Sequence, residues 1–180
     1  MVMSYVVRGI KSDEWPRLRE LRMAALADPV ARVAFVETYE RAAQEPDSFW
    51  RKRAEQGEAG EELKTFVAET GGDGPGAEQP FAGMAVVLVE RDRAQTHLAG
   101  VYTRPECRGT GLAGELFRAA LEWSWELPEF RVERVRLWVH EQNERARAFY
   151  AKLGFAETGR TMPYPNRPEE TEYELALYRP

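Results

Sequence analysis

Two periods of apolar positions alternate along this chain, and each predicts a different kind of element. Apolar residues three or four positions apart predict amphipathic helices at residues 13–27, 112–125 and 144–153. Short apolar or alternating runs predict strands at residues 4–10, 64–69, 81–90, 94–103, 135–140, 155–161 and 171–177. Aromatic residues between 33 and 53 predict further short helices, the second opened by Pro46 or Asp47. The predicted order is β-α-α-β-β-β-α-β-α-β-β.

Proline and glycine mark where these elements end. Asp28-Pro29 ends the first helix and Pro128 ends the helix at 112–125, whereas Pro16 is tolerated because it lies in a first helical turn. Residues 71–76 are rich in glycine, but they join two strands and open no helix. They predict a hairpin loop rather than a phosphate-binding loop. Residues 162–168 are rich in proline and predict an irregular crossing before the last strand.

The middle of the chain predicts a parallel pair of strands. A strand ending near Thr103 and a strand ending near His140 flank the helix at 112–125. Such a strand–helix–strand unit usually places its two strands side by side and parallel. Ligands tend to bind at the carboxyl ends of strands in this arrangement. The sequence therefore predicts a ligand site where these two strand ends meet.

The turn into that helix has the character of an anion site. Residues 101–114 read V-Y-T-R-P-E-C-R-G-T-G-L-A-G, in which Gly109 and Gly111 let the backbone approach an anion closely. The N–H groups of residues 110–114 open the helix without intrahelical acceptors, and the helix dipole adds partial positive charge. The spacing is neither the dinucleotide fingerprint nor a P-loop. It predicts a pyrophosphate-binding turn that includes Arg108.

A second segment with a strong local pattern begins at Asn143. Residues 143–155 read N-E-R-A-R-A-F-Y-A-K-L-G-F. Asn143 is a good N-cap, Glu144 suits the positive start of a helix, and Gly154 suits its end. The apolar stripe of this helix consists of Ala146, Phe149, Tyr150 and Leu153.

The two segments resemble the signature motifs of the GCN5-related N-acetyltransferase (GNAT) superfamily. Arg108, Gly111 and Ala113 match R/Q-x-x-G-x-G/A, and residues 143–155 match N-x-x-A-x-x-F-Y-x-x-x-G-F at every anchor position. The motifs keep the family's order and spacing, and the resemblance covers about residues 63–178. It implies an α/β (α+β) fold: a mixed, mostly antiparallel central sheet of six to seven strands, about four flanking helices, and a splayed parallel strand pair at the cofactor site.

The resemblance also implies acetyl-coenzyme A (acetyl-CoA) as co-substrate, with direct transfer of the acetyl group to an amine. Backbone groups of Val101 and Thr103 are expected to face the pantetheine arm, which Asn143 is also expected to contact unless it bonds a backbone loop. Direct transfer leaves no role for Cys107 as a nucleophile. The implied cofactor contacts are Val101, Tyr102, Thr103, Arg108, Gly109, Thr110, Gly111, Leu112, Ala113, Gly114, Asn143 and Tyr150.

One side chain of the second motif is a candidate for catalysis. Tyr150 matches the tyrosine that the family places near the sulfur, where its hydroxyl can protonate the thiolate leaving group. The structural alternative is that Tyr150 is a core aromatic residue beside Phe149. The motif match favours the role of Tyr150 as the acid.

The motifs do not identify the group that deprotonates the amine. His97 lies four residues before Val101 and is expected to share its strand face, and an ordinary histidine pKa of about 6.5 suits a base near neutral pH. His140, Glu37 and Glu69 are rivals. Ordered water is a further alternative.

The acceptor pocket is expected where the first two helices connect, because this connection usually forms one of its walls in the family. Candidates for acceptor contact are Phe35, Glu37, Tyr39, Glu69 and His140. The acidic total charge and the candidate wall carboxylates Glu37, Glu69 and Glu141 favour a cationic amine, on a small molecule or a peptide, over an anionic acceptor. The proline-rich segment 162–168 either covers this pocket or forms a homodimer contact.

Composition narrows the class of protein. A formal net charge of −5 argues against nonspecific nucleic-acid binding. The 180 residues, 43% of them hydrophobic, predict a single domain, 1–180. One cysteine and two distant histidines predict neither a disulfide framework nor a metal site. Because no run resembles a signal peptide or a membrane span, we expect a cytoplasmic protein with no membrane partner.

Two alternatives to an N-acetyltransferase stay open at this point. One is a non-catalytic module that binds acyl-CoA as a sensor or partner. The other is an acyltransferase that uses a longer acyl chain or a different acceptor. The intact motif residues Tyr150, Asn143, Arg108 and Gly111 favour an active enzyme over a sensor.

Overall fold

The structure is a computed structural model that describes residues 4–71 and 79–180. The strands are β1 Tyr5–Gly9, β2 Leu63–Thr70, β3 Gly83–Glu90, β4 Gln95–Thr103, β5 Arg134–His140, β6 Ala156–Tyr164 and β7 Arg167–Tyr178. The helices are α1 Trp15–Ala27, α2 Ala31–Ala34, α3 Tyr39–Ala43, α4 Asp47–Ala59, α5 Leu112–Trp125 and α6 Glu144–Lys152. None of the described helices is long and apolar enough to cross a membrane.

The seven strands form one mixed sheet in the order β1-β2-β3-β4-β5-β7-β6. Neighbouring strands are antiparallel except β4 and β5, which are parallel. This confirms the predicted fold class and the predicted parallel pair. The described helices number six rather than about four, because the chain stops and restarts between α1 and α4. Thr38 restarts it in extended conformation, and its hydroxyl caps α3 by accepting the Arg41 N–H at 3.3 Å.

Hydrophobic side chains on the two faces of the sheet form two cores. The first core lies on the side of α5 and includes Leu116, Phe117, Val135 and Leu137. The second core lies on the side of α1 and α4 and includes Leu21, Trp50, Val67 and Phe81. Because the sheet is covered on both faces, the ends of its central strands are fixed relative to the helices around them.

The parallel pair separates after three residues. Pairing of β4 with β5 covers only residues 95–97 and 134–136. Beyond His97, β4 is paired with β3 alone, so a gap opens between β4 and β5. This confirms the splayed strand pair that the family resemblance implies.

Backbone groups of β4 point into this gap. The Arg104 N–H donates to the Ala82 carbonyl oxygen at 3.0 Å, on the β3 side. The C=O and N–H of one trans peptide point in opposite directions. The carbonyl of Thr103, and by the two-residue alternation that of Val101, therefore faces the gap, where no strand of the described residues donates to it.

A β-bulge in β4 accompanies the separation. Tyr102 lies opposite Met84, whereas Ala99 lies opposite Val86, so β4 contains one residue more than β3 over this stretch. Gly100 lies inside the bulge with φ +59, in the left-handed region that favours glycine. The bulge needs a residue that tolerates positive φ, and Gly100 provides it.

The bulge makes one prediction about His97 wrong. His97 and Val101 were expected on the same strand face, but Val101 packs against the first core together with Leu98. His97 lies on the opposite face, in register with Arg136 of β5. The extra residue at Gly100 inverts the alternation of side chains, so a spacing of four no longer means a shared face.

The predicted irregular crossing at residues 162–168 is also wrong. β6 and β7 form an antiparallel hairpin with Pro165 and Asn166 between the strands. Pro163 lies inside β6, which tolerates it because β6 is the edge strand of the sheet. Pro168 lies next to the first residue of β7. Of the predicted glycine-rich loop 71–76, only Gly71 lies within the described residues.

We predict that Gly100→Ala destabilises the protein. A Cβ at this position combines left-handed φ with a contact of 3.3 Å to Val86 Cγ2, and the conformation alone costs about 1–2 kcal/mol for a non-glycine residue. Urea unfolding measures the change. Gly114→Ala is the control: a Cβ there meets nothing within 4 Å, and alanine favours a helix, so stability should stay equal or rise. Equal stability of wild type and Gly100→Ala would contradict the assignment of the bulge.

Candidate active site

A cleft of about 860 Å³ runs through the gap between β4 and β5. Its walls come from both strands, from α5 and α6, and from the connection between α1 and α3. Most of the predicted site residues line it: Phe35, Glu37, His97, Val101, Tyr102, Thr103, Arg108, Gly109, Gly111, Leu112, Ala113, Gly114, Asn143 and Tyr150. Its volume is in the usual range for a ligand site in a protein.

The start of α5 forms one end of the cleft. Gly109 and Gly111 adopt φ +77 and φ +89, and a Cβ built on either would meet nothing within 4 Å. The first intrahelical bond runs from the Glu115 N–H to the Gly111 carbonyl. The N–H groups of residues 112–114 therefore lack a helical acceptor, beside open space. This combination of free donors, helix dipole and open backbone fits an anion.

The Arg108 side chain has a partner that the sequence did not reveal. Its guanidinium donates to Asp28 Oδ2 at 2.8 Å, and the Tyr102 hydroxyl donates to the same oxygen at 3.0 Å. The Val30 N–H donates to Asp28 Oδ1 at 2.9 Å. Burial raises the pKa of Asp28, but these three hydrogen bonds and the Arg108 charge outweigh it and hold the pKa below its usual value. Asp28, at the end of α1, thus ties the α5 turn to the opposite wall.

Two cations of α6 also line the cleft and were missed by the sequence analysis. Arg145 and Lys152 are exposed, and neither forms an ion pair with a residue in the described part of the chain. They are seven residues apart, so they share one face of the helix. The spacing of seven residues between Arg145 and Lys152 was the one feature of the sequence that could have indicated a shared cationic face on this helix.

The helix start at Asn143 agrees with its predicted capping role. Its Oδ1 accepts the Ala146 N–H at 3.4 Å, and the residue lines the cleft. Thr110 does not line the cleft as Gly109 and Gly111 do, and its hydroxyl donates to the Cys107 carbonyl. Cys107 itself is buried in the first core.

Tyr150 lines the cleft from α6. Its ring lies 5.4 Å from that of Phe117 and 6.2 Å from that of Phe155. Tyr150 thus packs on the core and also reaches the cleft, and its role as the acid stays a prediction. Burial raises the pKa of Tyr150 to about 12, so its hydroxyl stays protonated at neutral pH and can donate.

His97 lines the cleft from the face of β4 that lies opposite α5. Burial lowers its pKa to about 4, and the positive charge of Arg136 contributes in the same direction. At neutral pH the ring is neutral and holds a proton only weakly. The ordinary pKa of 6.5 on which its role as a base was predicted does not apply at this site.

His140 is buried outside the cleft lining. Its Nε2 lies 2.6 Å from Glu170 Oε2, and its Nδ1 accepts the Gln142 N–H at 3.0 Å. Both ring nitrogens are therefore engaged, with Nε2 donating. Burial raises the pKa of Glu170, but hydrogen bonds from Arg167, His140 and Arg32 lower it to about 2. His140 lies in this structural group, so it is not positioned to contact an acceptor or remove its proton.

The predicted acceptor residues divide into two groups. Phe35 and Glu37 line the cleft, and Glu37 accepts a hydrogen bond from Arg22 at 3.0 Å. Tyr39 is exposed at the start of α3, outside the lining. Glu69 lies on β2, paired with Arg8 of β1 and Arg17 of α1, and it too is outside the lining. The sequence alone could not predict that the side chains of Tyr39 and Glu69 lie away from the cleft.

The chain shows similarity to known sequences. A model of the acetyltransferase (GNAT) family matches residues 15–155. The peptidyl-lysine N-acetyltransferase YjaB of Escherichia coli (strain K12) is 33% identical over 99 residues, which are 48% of this chain and 62% of that protein. The match thus spans less than two thirds of that relative's length.

Solved structures share the fold over nearly the whole chain. A GNAT-family acetyltransferase from Streptococcus pneumoniae has a TM-score of 0.76 at 15% identity, covering 98% of this chain and 100% of that one. The spermidine N-acetyltransferase of Vibrio cholerae, in complex with CoA and spermine, has a TM-score of 0.72 at 17% identity, covering 97% and 95%.

We predict that Asp28→Asn lowers the stability of the protein by about 1–3 kcal/mol at pH 7, because it leaves Arg108 and the Tyr102 hydroxyl without a charged acceptor. Asp28 has a lowered pKa in the folded state. Its contribution is therefore complete above the unfolded pKa of about 3.9 and is lost as the pH falls through the folded pKa.

The measurement is urea unfolding of wild type and Asp28→Asn between pH 7 and pH 3. The difference should shrink below about pH 4. Glu133→Gln is the control, because its pair with Arg131 is exposed on both sides and exposed pairs contribute little. A constant difference across this pH range would show that the Asp28 carboxylate is not the stabilising group.

Proposed function

This chain belongs to the acetyltransferase (GNAT) family, and we propose that it is an N-acetyltransferase that takes the acetyl group from acetyl-CoA and transfers it directly to a primary amine. The observation that carries the proposal is the gap between β4 and β5, which leads to the glycine turn of α5. A long ligand with an anionic middle and an amide-containing arm fits such a path.

The cofactor end of the cleft supports binding of the CoA phosphates. The free N–H groups of residues 112–114 provide donors for a pyrophosphate, and Gly109 and Gly111 leave the space it needs. Arg145 and Lys152, which have no ion-pair partner among the described residues, add two positive charges on the same side of the gap. The carbonyls of the β4 backbone that face the gap can pair with the pantetheine amides.

Acetyl-CoA is a thioester, and the neutral amine attacks its carbonyl carbon. The charge that develops on the thiolate needs a donor. Tyr150 offers a hydroxyl with a pKa of about 12 in the cleft wall. A thiol has an ordinary pKa of about 8.5, so this hydroxyl acts first as a hydrogen-bond donor to sulfur, and the proton that the thiolate finally keeps comes from the attacking nitrogen.

The acceptor is proposed as a primary amine of a small molecule or a peptide. The side of the cleft opposite α5 contains the carboxylates Glu37 and Glu172 and the aromatic ring of Phe35, which suit an alkylammonium group with an apolar stem. The name of the Escherichia coli relative specifies peptidyl-lysine, and that of the Vibrio cholerae structure specifies spermidine. Both are primary alkylamines, and both serve as probes.

We predict that CoA raises the unfolding temperature of wild type and that Ala113→Glu removes most of this shift. A ligand that binds only the native state stabilises it. Glu at the second position of α5 suits the helix dipole and preserves folding, but it places negative charge against the pyrophosphate, so we expect the Kd for CoA to rise by about tenfold or more.

The matched control is Ala113→Gln, which adds the same volume without charge. Calorimetric titration with CoA should give a much smaller loss of affinity for Ala113→Gln than for Ala113→Glu. If both variants bind CoA as wild type does, the start of α5 is not the phosphate site.

We predict that Tyr150→Phe lowers kcat by on the order of 100-fold and leaves the affinity for CoA nearly unchanged, because it removes only the hydroxyl. Thiol release from acetyl-CoA in the presence of spermidine or a lysine peptide measures turnover. Tyr178→Phe is the control, since Tyr178 is exposed and outside the cleft lining. Wild-type turnover by Tyr150→Phe would leave Tyr150 with a packing role only.

A further inference from the structure

One carboxylate in the cleft has no role in the fold. Glu172 lies on β7, in register with His140 of β5 on one side and Met162 of β6 on the other. Its side chain is half-buried and lines the cleft. Residues in register share one face of a sheet, so Glu172 faces the α1–α3 side, opposite α5 and α6.

Glu172 differs from the other acidic residues around it by being unpaired. Glu37, the other carboxylate among the described residues that line the cleft, accepts from Arg22. Glu170, two residues earlier on β7, is bound by Arg32, Arg167 and His140. Within residues 4–71 and 79–180, no side chain donates to the carboxylate of Glu172.

The groups facing Glu172 explain why it stays unpaired. His140 beside it directs Nε2 to Glu170. Tyr164 of β6 donates its hydroxyl to the Phe35 carbonyl at 2.7 Å. The titratable and charged groups that line the cleft on the remaining elements of this side are His97 and Tyr102 of β4, Arg22 of α1 and Glu37 of the α2–α3 connection. The Tyr102 hydroxyl donates to Asp28. Arg22 is engaged by Glu37, and His97 is neutral near pH 7, so neither neutralises Glu172.

An unpaired, half-buried carboxylate lowers the stability of a fold. Burial raises the pKa of Glu172, while its interaction with His140 acts in the opposite direction. A carboxyl whose pKa is raised on folding destabilises the folded state above the unfolded pKa of about 4.3. Residues that reduce stability in a cleft are characteristic of functional sites.

We propose that Glu172 binds the ammonium group of the acceptor and removes its proton before the amine attacks acetyl-CoA. This inference rests on the proposed function. The position of Glu172 in the cleft opposite α6, where Tyr150 lies, puts the carboxylate on the acceptor side of the gap. Neither the family motifs nor the candidates named from the sequence include this residue.

The proton balance of the step is simple. The ammonium N–H bond breaks, its proton goes to a carboxylate oxygen of Glu172, and the freed lone pair forms the bond to the thioester carbon. The carbon–sulfur bond then breaks. The amide nitrogen loses a second proton, which ends on the thiolate sulfur, and Glu172 releases the first proton to solvent. A raised pKa of Glu172 narrows its gap to an alkylammonium group, whose pKa is about 10.4.

The test compares Glu172→Gln, which keeps the shape and removes the charge, with wild type and with Glu169→Gln. Glu169 is an exposed residue of the same strand, so the control removes an equal charge outside the cleft. The probes are spermidine, a lysine peptide and propylamine, each with acetyl-CoA. We expect kcat/KM of Glu172→Gln to fall by on the order of 100-fold with the best probe, and Glu169→Gln to match wild type.

Two further readouts separate this role from a structural one. The rise of kcat/KM with pH on the acid side should be present in wild type and absent in Glu172→Gln. The unfolding temperature of Glu172→Gln at pH 7 should be equal to or above that of wild type, and its affinity for CoA should be unchanged. A fall in activity accompanied by a fall in stability and the same pH profile would overturn the inference.

The remaining outcomes distinguish the inference from the function on which it rests. A wild-type protein that does not bind CoA overturns the proposed function. A wild type that acetylates a probe while Glu172→Gln is equally active overturns the inference alone. A wild type that binds CoA but acetylates none of the primary amines also overturns the inference, since Glu172 then has no ammonium group to receive.

Discussion

The separation of β4 from β5 is the constraint on which the site depends. Over residues 95–97 the two strands are paired, and the bulge at Gly100 then follows on β4. Polar backbone groups need partners, and no strand among residues 4–71 and 79–180 pairs with the carbonyls of Val101 and Thr103 on the gap side, so water or a ligand can satisfy them. The cleft is therefore produced by the pattern of backbone pairing. The side chains around it determine its shape and charge.

The sequence predicted features that are local in the chain. The motif around Arg108, the cap at Asn143 and the seven strands all depend on residues a few positions apart, and the structure reproduces them. The side on which His97 lies depends on one glycine whose bulge a strand pattern does not reveal. The sequence gives no signal for the pairing of Asp28 with Arg108 across 80 residues.

The unpaired state of Glu172 also could not be predicted from the sequence. In the sequence it is one of four glutamates between residues 169 and 174, and its neighbours Glu170 and Glu174 are both bound by arginines. Only the register of β7 against β5 and β6 separates the unpaired carboxylate from the paired ones. Likewise the net charge of −5 does not reveal that the exposed cations Arg145 and Lys152 line the cleft on one side of the sheet and carboxylates on the other.

The hairpin of β6 and β7 has a consequence for how this site can change. Its tip supports the wall of the cleft through three donors, each at 2.7 Å: Tyr164 to the Phe35 carbonyl, Asn166 to the Val36 carbonyl and Arg167 to the Arg32 carbonyl. Every amino acid provides a main-chain carbonyl, so the support does not depend on which side chains the wall presents. Mutation can therefore exchange the cleft-lining side chains of Val33, Ala34 and Val36 one at a time, and a lineage can acquire a new acceptor preference without first losing the wall that carries it.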